Sequence, residues 1–398
     1  MANTDYTIGQ LLGMEACTNC RICADVCPAV AAAGRGDISA VNRMKGLRNI
    51  LRSRGGLLRK LFGKKISQET WEAFSRNTFQ CTLCGNCQEV CPVGIRLREL
   101  WLSLRQDLVH SRVYPQAVDM IRDNLEASHN VFAEDNEERA DWVEDMSDAP
   151  DHGFLKDRAE VVYFTGCVAA YFPLAQKIPL ALADILTAAE VDFTLMGEEE
   201  WCCGFPLIGA GLKDLFHTFR DHNLEAVREK GAREVLFACP SCYQMWREHY
   251  PLGDLRISHA SQFLLRKLRR GDIPLKPLEM TVTYHDPCDL GRGARIFDEP
   301  REAIRSIPGV TLVELPRNRE NCLCCGGGGN LEMLAKELSA DIARLKIDEI
   351  LSTGAQAVIT GCQQCVRTMM TYVRRNKVPL EVLDLTQLVQ RALKKDED

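Results

Sequence analysis

No stretch of this sequence is both long and apolar enough to be read as a membrane span. The longest candidate, Ile178 to Met196, is interrupted by Asp184, Glu190 and Asp192, so it reads as a helix followed by a strand. Met1 to Cys17 lack the positive segment and apolar run of a secretory signal. The expectation is a cytoplasmic protein that reaches a membrane only through a partner protein. A basic excess is missing too. The formal net charge is −6, with Lys+Arg 49 against Asp+Glu 55, whereas phosphate recognition shows as a basic domain or stripe, so nucleic acid is not an expected partner. No G-x-G-x-x-G follows a strand and opens a helix, which places any flavin or nicotinamide on another polypeptide.

Cysteine, by contrast, is abundant. The 398 residues include 19 cysteines, far more than packing needs inside a cell, where thiols stay reduced; metal ligation is the expected use, since disulfide scaffolds belong to small secreted chains. The length and the 46% hydrophobic content allow two or three cored domains.

Cys17, Cys20, Cys23 and Cys27, and again Cys81, Cys84, Cys87 and Cys91, read C-x2-C-x2-C-x3-C, with Pro28 and Pro92 following. This is the bacterial ferredoxin run, and two-cluster ferredoxins exchange the fourth cysteine between motifs. Cys17, Cys20, Cys23 and Cys91 are therefore assigned to one [4Fe–4S] cube, and Cys81, Cys84, Cys87 and Cys27 to the other. A zinc site uses four ligands and accounts for neither the third closely spaced cysteine nor the Cys-Pro ending.

Between the motifs, Arg35, Arg43, Lys45, Arg48, Arg52, Arg54, Arg59, Lys60, Lys64 and Lys65 face the single acid Asp37. Val41, Met44, Leu47, Ile50 and Leu51 recur at helical spacing, and Gly55-Gly56 breaks the pattern. The stretch is either a solvated helix face or a docking surface for an acidic partner or a membrane. Residues 134–151 show the opposite bias, with Arg139 alone among the acids. They read as a linker, with a short acidic helix that packs Trp142 and Val143 as the alternative.

From Glu160 the chain repeats. Val161 to Phe164 leads to Cys167, and Thr281 to Tyr284 leads to Cys288; Cys202-Cys203-Gly204 answers to Cys324-Cys325-Gly326; Cys239 and Cys242, after Glu234 to Phe237, answer to Cys362 and Cys365, after Ala357 to Thr360. The offsets between copies are 121, 122 and 123 residues, which implies a tandem duplication. Strand-like runs alternate with helical stretches such as Asp214 to Glu229 and Leu331 to Ser352, as in α/β layers with parallel sheets, and the cysteines fall just past strand ends, where such sheets place ligands.

The segments FTGCVAAY, WCCGFP, ACPSCYQMW, YHDPCDLGR, LCCGGGGN and TGCQQCVRT resemble the paired cysteine-rich CCG domains of heterodisulfide reductases. From about residue 10 to 385 the chain is similar to the D-type subunits of that family, in which a two-cube ferredoxin part is fused to the catalytic part. The resemblance implies an N-terminal α-helical two-cluster ferredoxin-like domain (1–130), an acidic linker (131–159), and tandem α/β CCG domains (160–275 and 276–398) with pseudo-twofold symmetry, α+β overall. It implies that Cys167, Cys202, Cys203, Cys239 and Cys242 bind one non-cubane [4Fe–4S] cluster, and Cys288, Cys324, Cys325, Cys362 and Cys365 a second. Cys322 is left over. It also implies a multi-subunit complex, with a flavin-containing oxidoreductase subunit or a membrane cytochrome as partner, and reduction of a disulfide. Iron–sulfur subunits of glycolate, lactate and anaerobic glycerol-3-phosphate dehydrogenases, and related subunits of sulfate-reduction and benzoyl-CoA-reductase complexes, are similar as well. They make an electron-relay role, with the chemistry on a different polypeptide, the alternative. Gly326 to Gly329 reads as backbone that approaches cluster sulfurs rather than as a phosphate loop, since no Lys-Ser/Thr follows. His285, before Cys288, is a candidate proton relay beside the plainer reading of a packed histidine.

Overall fold

The computed structural model describes residues 6–54, 66–146 and 149–394. Gly55, Gly56, Arg59, Lys60, Lys64 and Lys65 of the basic stretch, and Asp148 of the acidic one, lie outside the described residues, as does the side chain of Arg54. The chain forms two compact units. One comprises Met1–Arg122, Pro206–Asp214 and Gly326–Leu345; the other comprises Asp123–Phe205, Leu215–Cys325 and Lys346–Asp398. Two segments that the sequence places inside the repeats thus belong by contact to the first unit.

The first unit is helical. Thr7 caps helix Ile8–Ala16 in a reciprocal pair with Gln10, and Ser67 caps helix Gln68–Phe79 through the Thr70 amide, so donors left unpaired at each helix start are satisfied. Helix Ala40–Arg54 buries Val41, Met44, Leu47 and Ile50, the apolar stripe read from the sequence. Its charged residues do not all face solvent. The buried Arg43 donates to the Ile38 and Asn77 carbonyls and lies over the Trp101 ring, while Arg48 donates to the carbonyls of Met14 and Cys17. A smaller core gathers Ala29 and Ile38 with Leu331, Leu338 and Ile342. The helical run expected over Leu331 to Ser352 is split into Leu331–Leu334 and Lys336–Leu351, because Ala335 leaves the helical region at φ −157.

The second unit carries two four-stranded parallel sheets of identical order. β1 (Val161–Phe164), β2 (Phe193–Thr194), β3 (Glu234–Phe237) and β4 (Arg256–His259) run β2-β1-β3-β4; β5 (Met280–His285), β6 (Val310–Val313), β7 (Ala357–Thr360) and β8 (Glu381–Asp384) run β6-β5-β7-β8. The central strands β1, β3 and β7 are buried at every residue, as parallel sheets covered on both faces require. Packing between copies is reciprocal. Helix Lys177–Ala188, after β1, meets Leu385–Arg391 at the end of the second copy; helix Asp298–Arg305, after β5, meets Ala260–Arg270 at the end of the first. Exchanged contacts of this kind are what a twofold relation between copies produces. One core contains Tyr163 and Leu236 of the first sheet and Val282, Tyr284 and Ile359 of the second.

The acidic segment read as a linker belongs to this unit. It forms a 3-10 helix, Glu137–Asp145, that buries Trp142, Val143 and Arg139. Polar as it is, the segment is held by a neighbouring core rather than by one of its own.

Candidate metal centres

In the first unit the two cysteine motifs interleave. Cys17, Cys20, Cys23 and Cys91 line one cavity, together with Val41, Met44, Ile95 and Leu97. Cys27 joins Cys81, Cys84 and Cys87 around another, with Arg43 and Trp101. Each motif winds the same way: Asn19 and Arg21 in the first, Leu83 and Gly85 in the second, have positive φ of 58, 70, 53 and 77. Left-handed backbone costs a residue with a side chain roughly 1–2 kcal/mol, and its recurrence at equivalent positions marks a loop that must wrap something. None of the nineteen cysteines is in a disulfide. Burial, and then the charge of Cys81, pushes the Cys27 thiol up to about 11, and the same two causes raise Cys87. Thiols this close oppose each other's ionisation, and a cationic centre among them removes that cost. An all-sulfur donor set in an apolar cavity fits an iron–sulfur cube.

Arg105, on helix Leu97–His110, completes the second cavity's surroundings. It is fully buried and donates to four carbonyls: Gly209 at 2.6 Å, Gly329 at 2.9 Å, Phe79 at 3.2 Å and Cys81 at 2.8 Å. Burial lowers it to about 10. Gly328 and Gly329 lie against the same loop, where an added Cβ would collide with the Thr82 and Cys81 carbonyl oxygens. The glycines therefore permit close approach to backbone of the second motif, whereas the sequence leads one to expect cluster sulfurs there.

In the second unit Cys167, Cys202, Cys203, Cys239 and Cys242 are all buried. Thiol hydrogen bonds run from Cys167 to Cys202, on to Cys203, then to Cys242 and Cys239. Cys239 stands at the N-cap position of helix Pro240–His249, where aligned amides favour a thiolate. In the other copy the same linkage runs from Cys324 through Cys325 and Cys365 to Cys362, and Cys362 caps helix Gln363–Arg375 by accepting from the Cys365 amide at 3.3 Å. The fifth expected ligand, Cys288, is half-buried, with its thiol 3.9 Å from the Asp289 carboxylate. The second cysteine of each pair shares hydrogen bonds with its neighbour and with the last cysteine of its copy. These bring Cys203 down to about 6 and Cys325 well below the usual thiol range.

Across the copies the cysteine loops touch reciprocally. Gln363, between the last two cysteines of the second copy, donates to the Thr165 carbonyl at 2.7 Å; Ser241, between those of the first, bonds Asp289 at 2.6 Å. Gly166, at φ 81, passes where an added Cβ would stand 3.4 Å from Cys242 Sγ and 3.1 Å from Gln363 Oε1.

Each centre also holds charged groups that the motifs do not reveal. Beside the first, Arg139 donates to Cys167 Sγ at 3.4 Å and pairs with Glu200, whose carboxylate accepts the Thr165 and Gly166 amides at 2.7 and 2.8 Å. Beside the second, Cys322, left over in the count, is fully buried, 3.5 Å from His285 Nδ1 and 3.5 Å from Lys346 Nζ. The 122-residue offset pairs Cys322 with Glu200, a signal available in the repeat. His285 is a packed histidine, though one facing the cysteines: burial, which lowers it, is outweighed by Cys322, and it rises to about 9.

A family model described as a cysteine-rich domain matches residues 161–247 and again 282–370, and a 4Fe-4S dicluster domain model matches residues 13–95. The D-type subunit of the dihydromethanophenazine:CoB--CoM heterodisulfide reductase of Methanosarcina mazei is 35% identical to this chain, over 98% of it and 96% of the relative. The chain belongs to the family of D-type heterodisulfide reductase subunits. It is an iron–sulfur oxidoreductase with 4Fe–4S clusters, built from a ferredoxin-like part and two CCG domains. Similarity extends to the probable iron-sulfur-binding oxidoreductase FadF of Bacillus subtilis, 26% identical over 98% of this chain and 61% of that protein. It also reaches the EtfAB:quinone oxidoreductase of Syntrophomonas wolfei, 27% identical over 80% of this chain and 47% of that one. Among the described residues no helix is long and apolar enough to cross a membrane.

Proposed function

We propose that this protein takes electrons from a partner through two cubane clusters to two non-cubane clusters, one in each CCG domain, where a disulfide is reduced. The ligands are the eight ferredoxin-type cysteines in their exchanged sets and the two sets of five in the repeats, within the domain limits given by the sequence. The observation that carries the reading is the reciprocal contact of the two CCG cysteine loops through Gln363 and Ser241, because a disulfide has two sulfurs and needs two electrons. The clusters, when bound, supply one-electron steps. The protein's own groups set their surroundings. Cys20 is the exposed cysteine of the nineteen, which favours electron entry at the Cys17/Cys20/Cys23/Cys91 cube. Arg43 and Arg105 keep positive charge buried beside the other cube, and Arg139 keeps it beside Cys167. The donor is a flavin-containing subunit or a membrane cytochrome, and the latter would bring the protein to a membrane.

Anaerobic purification with the partner proteins, iron analysis and turnover of a heterodisulfide with an artificial reductant test this. About sixteen irons per chain, four clusters of four, are expected. Full iron with no turnover in the intact complex would favour an electron relay for chemistry on another polypeptide, a reading that the similarity to FadF and to the EtfAB:quinone oxidoreductase supports.

A further inference from the structure

His285 ends β5 as Phe164 ends β1, so the two residues occupy one position in the two copies. Phe164 has no donor atom and packs edge-on against Trp246. His285 is 1% exposed; its buried Nε2 meets no close hydrogen-bond partner, and beyond Cys322 the ring pairs with the Cys325 thiol. A buried polar atom left in that state is costly unless something completes it. The histidine donor atom and the sulfurs of Cys325 and Cys365 all lie within 4.8 Å of one another, close enough for a single iron to take all three. The other ring nitrogen is accounted for: Nδ1 faces Cys322 Sγ, Cys322 faces Lys346, and Lys346 is held by Glu349 at 2.9 Å. Histidines that bind metals by one nitrogen are oriented by such a partner on the other.

We propose that His285 is a nitrogen ligand of the second CCG centre through Nε2, with Cys322 and Lys346 orienting the ring. The second centre then takes a mixed histidine and cysteine set, while the first, with Phe164 in that place, takes sulfur alone. Binding through Nε2 displaces the proton held there; the neutral imidazole then adds no negative charge, and net charge and ligand type set reduction potentials, so the two centres hold electrons unequally. Cys322 gains a role: it fixes the ring and leaves the iron to its neighbours. The assignment rests on the reading that the second set of cysteines holds a cluster.

The test is pulsed EPR on the full chain with its clusters, purified anaerobically after growth with 14N- or 15N-histidine, in a redox state where the CCG centres are paramagnetic. A strong coupling to directly bound histidine nitrogen that follows the isotope, and that is lost in His285→Phe and His285→Gln while the first centre's signal is unchanged, is the expected result. Absence of such coupling in wild type with its full iron overturns the ligand assignment, as does coupling that survives in either variant. Wild-type iron that stops near eight, the content of two ferredoxin cubes, overturns the cluster reading and the assignment with it.

Discussion

Arg139 Nη2 lies 3.4 Å from Cys167 Sγ and 2.9 Å from Glu200 Oε1, so one guanidinium serves a thiol and a carboxylate that are both buried. Both side chains of the ion pair are 1% exposed. Cutting one partner from a buried pair strands the other charge, at a cost of about 3–5 kcal/mol. Arg139→Met is therefore expected to lose stability in that range by urea denaturation, and Arg139→Lys less. A loss near zero in Arg139→Met would mean that the amides of Thr165 and Gly166 suffice for Glu200.

The interleaved cavities give a second expectation. Cys27 lines the Cys81, Cys84 and Cys87 cavity, and Cys91 lines that of Cys17, Cys20 and Cys23. Cys27→Ser should alter the cube built on the distant motif and leave the cube of its own motif intact, with Cys91→Ser doing the converse. EPR of the two reduced cubes, assigned by Cys20→Ser and Cys84→Ser, decides the matter. A Cys27→Ser effect confined to the Cys20 signal would return each fourth cysteine to its own motif.

His259 supplies a pH dependence. It caps helix Ala260–Arg270 with Nδ1 accepting the Ser261 amide at 3.2 Å, and burial lowers it from 6.5 to about 4. Below 6.5 the unfolded chain takes up a proton that the folded one refuses. Its contribution to stability is thus complete above 6.5 and falls as the pH drops towards about 4, by about 3 kcal/mol in all at roughly 1.4 per pH unit. His259→Asn keeps a capping acceptor and should flatten this part of the acid limb while changing stability little at pH 8. Parallel acid limbs in wild type and variant, measured by denaturation between pH 8 and 4.5, would assign the loss to other groups.

The strands before the cysteines are legible in the sequence because β-branched runs recur at a fixed offset, and the Val41, Met44, Leu47 and Ile50 stripe because its period is helical. Buried arginines are not. Arg43, Arg48 and Arg105 turn their Nη atoms to backbone carbonyls, which leave no trace in a charge count, so basic residues pass for a solvated face. Arg139 is visible only as the odd base in an acidic run. Its partner Glu200, and Cys322 in the other copy, emerge when the repeat alignment is extended two residues ahead of each cysteine pair. Nothing local in the sequence assigns Pro206–Asp214 and Gly326–Leu345 to the first unit. That depends on glycines whose missing side chains let backbone meet backbone.

Arg105 tests how far that junction rests on one residue. Its guanidinium is the donor to the carbonyls of Phe79, Cys81, Gly209 and Gly329, all within the first unit. Gly209 follows the Cys202-Cys203 pair, and Gly329 follows Cys324-Cys325, so the chain beyond both pairs and the loop of the second ferredoxin motif share a single cation. Methionine fills much of the same space but donates nothing, and each carbonyl left buried and unpaired costs about 1–3 kcal/mol, with shared relaxation making the total less than the sum. Arg105→Met should therefore lose several kcal/mol, whereas Arg105→Lys keeps the charge and part of the bonding. Gly329→Ala attacks the same junction from the other side, because at φ 62 its Cβ would strike the Cys81 carbonyl. If the two act on one contact, the double variant should be less destabilised than the sum of the singles, and both singles should weaken retention of the Cys27/Cys81/Cys84/Cys87 cube under chelator while the other cube holds. Additive losses, or equal release of both cubes, would show that Arg105 and Gly329 stabilise the unit independently.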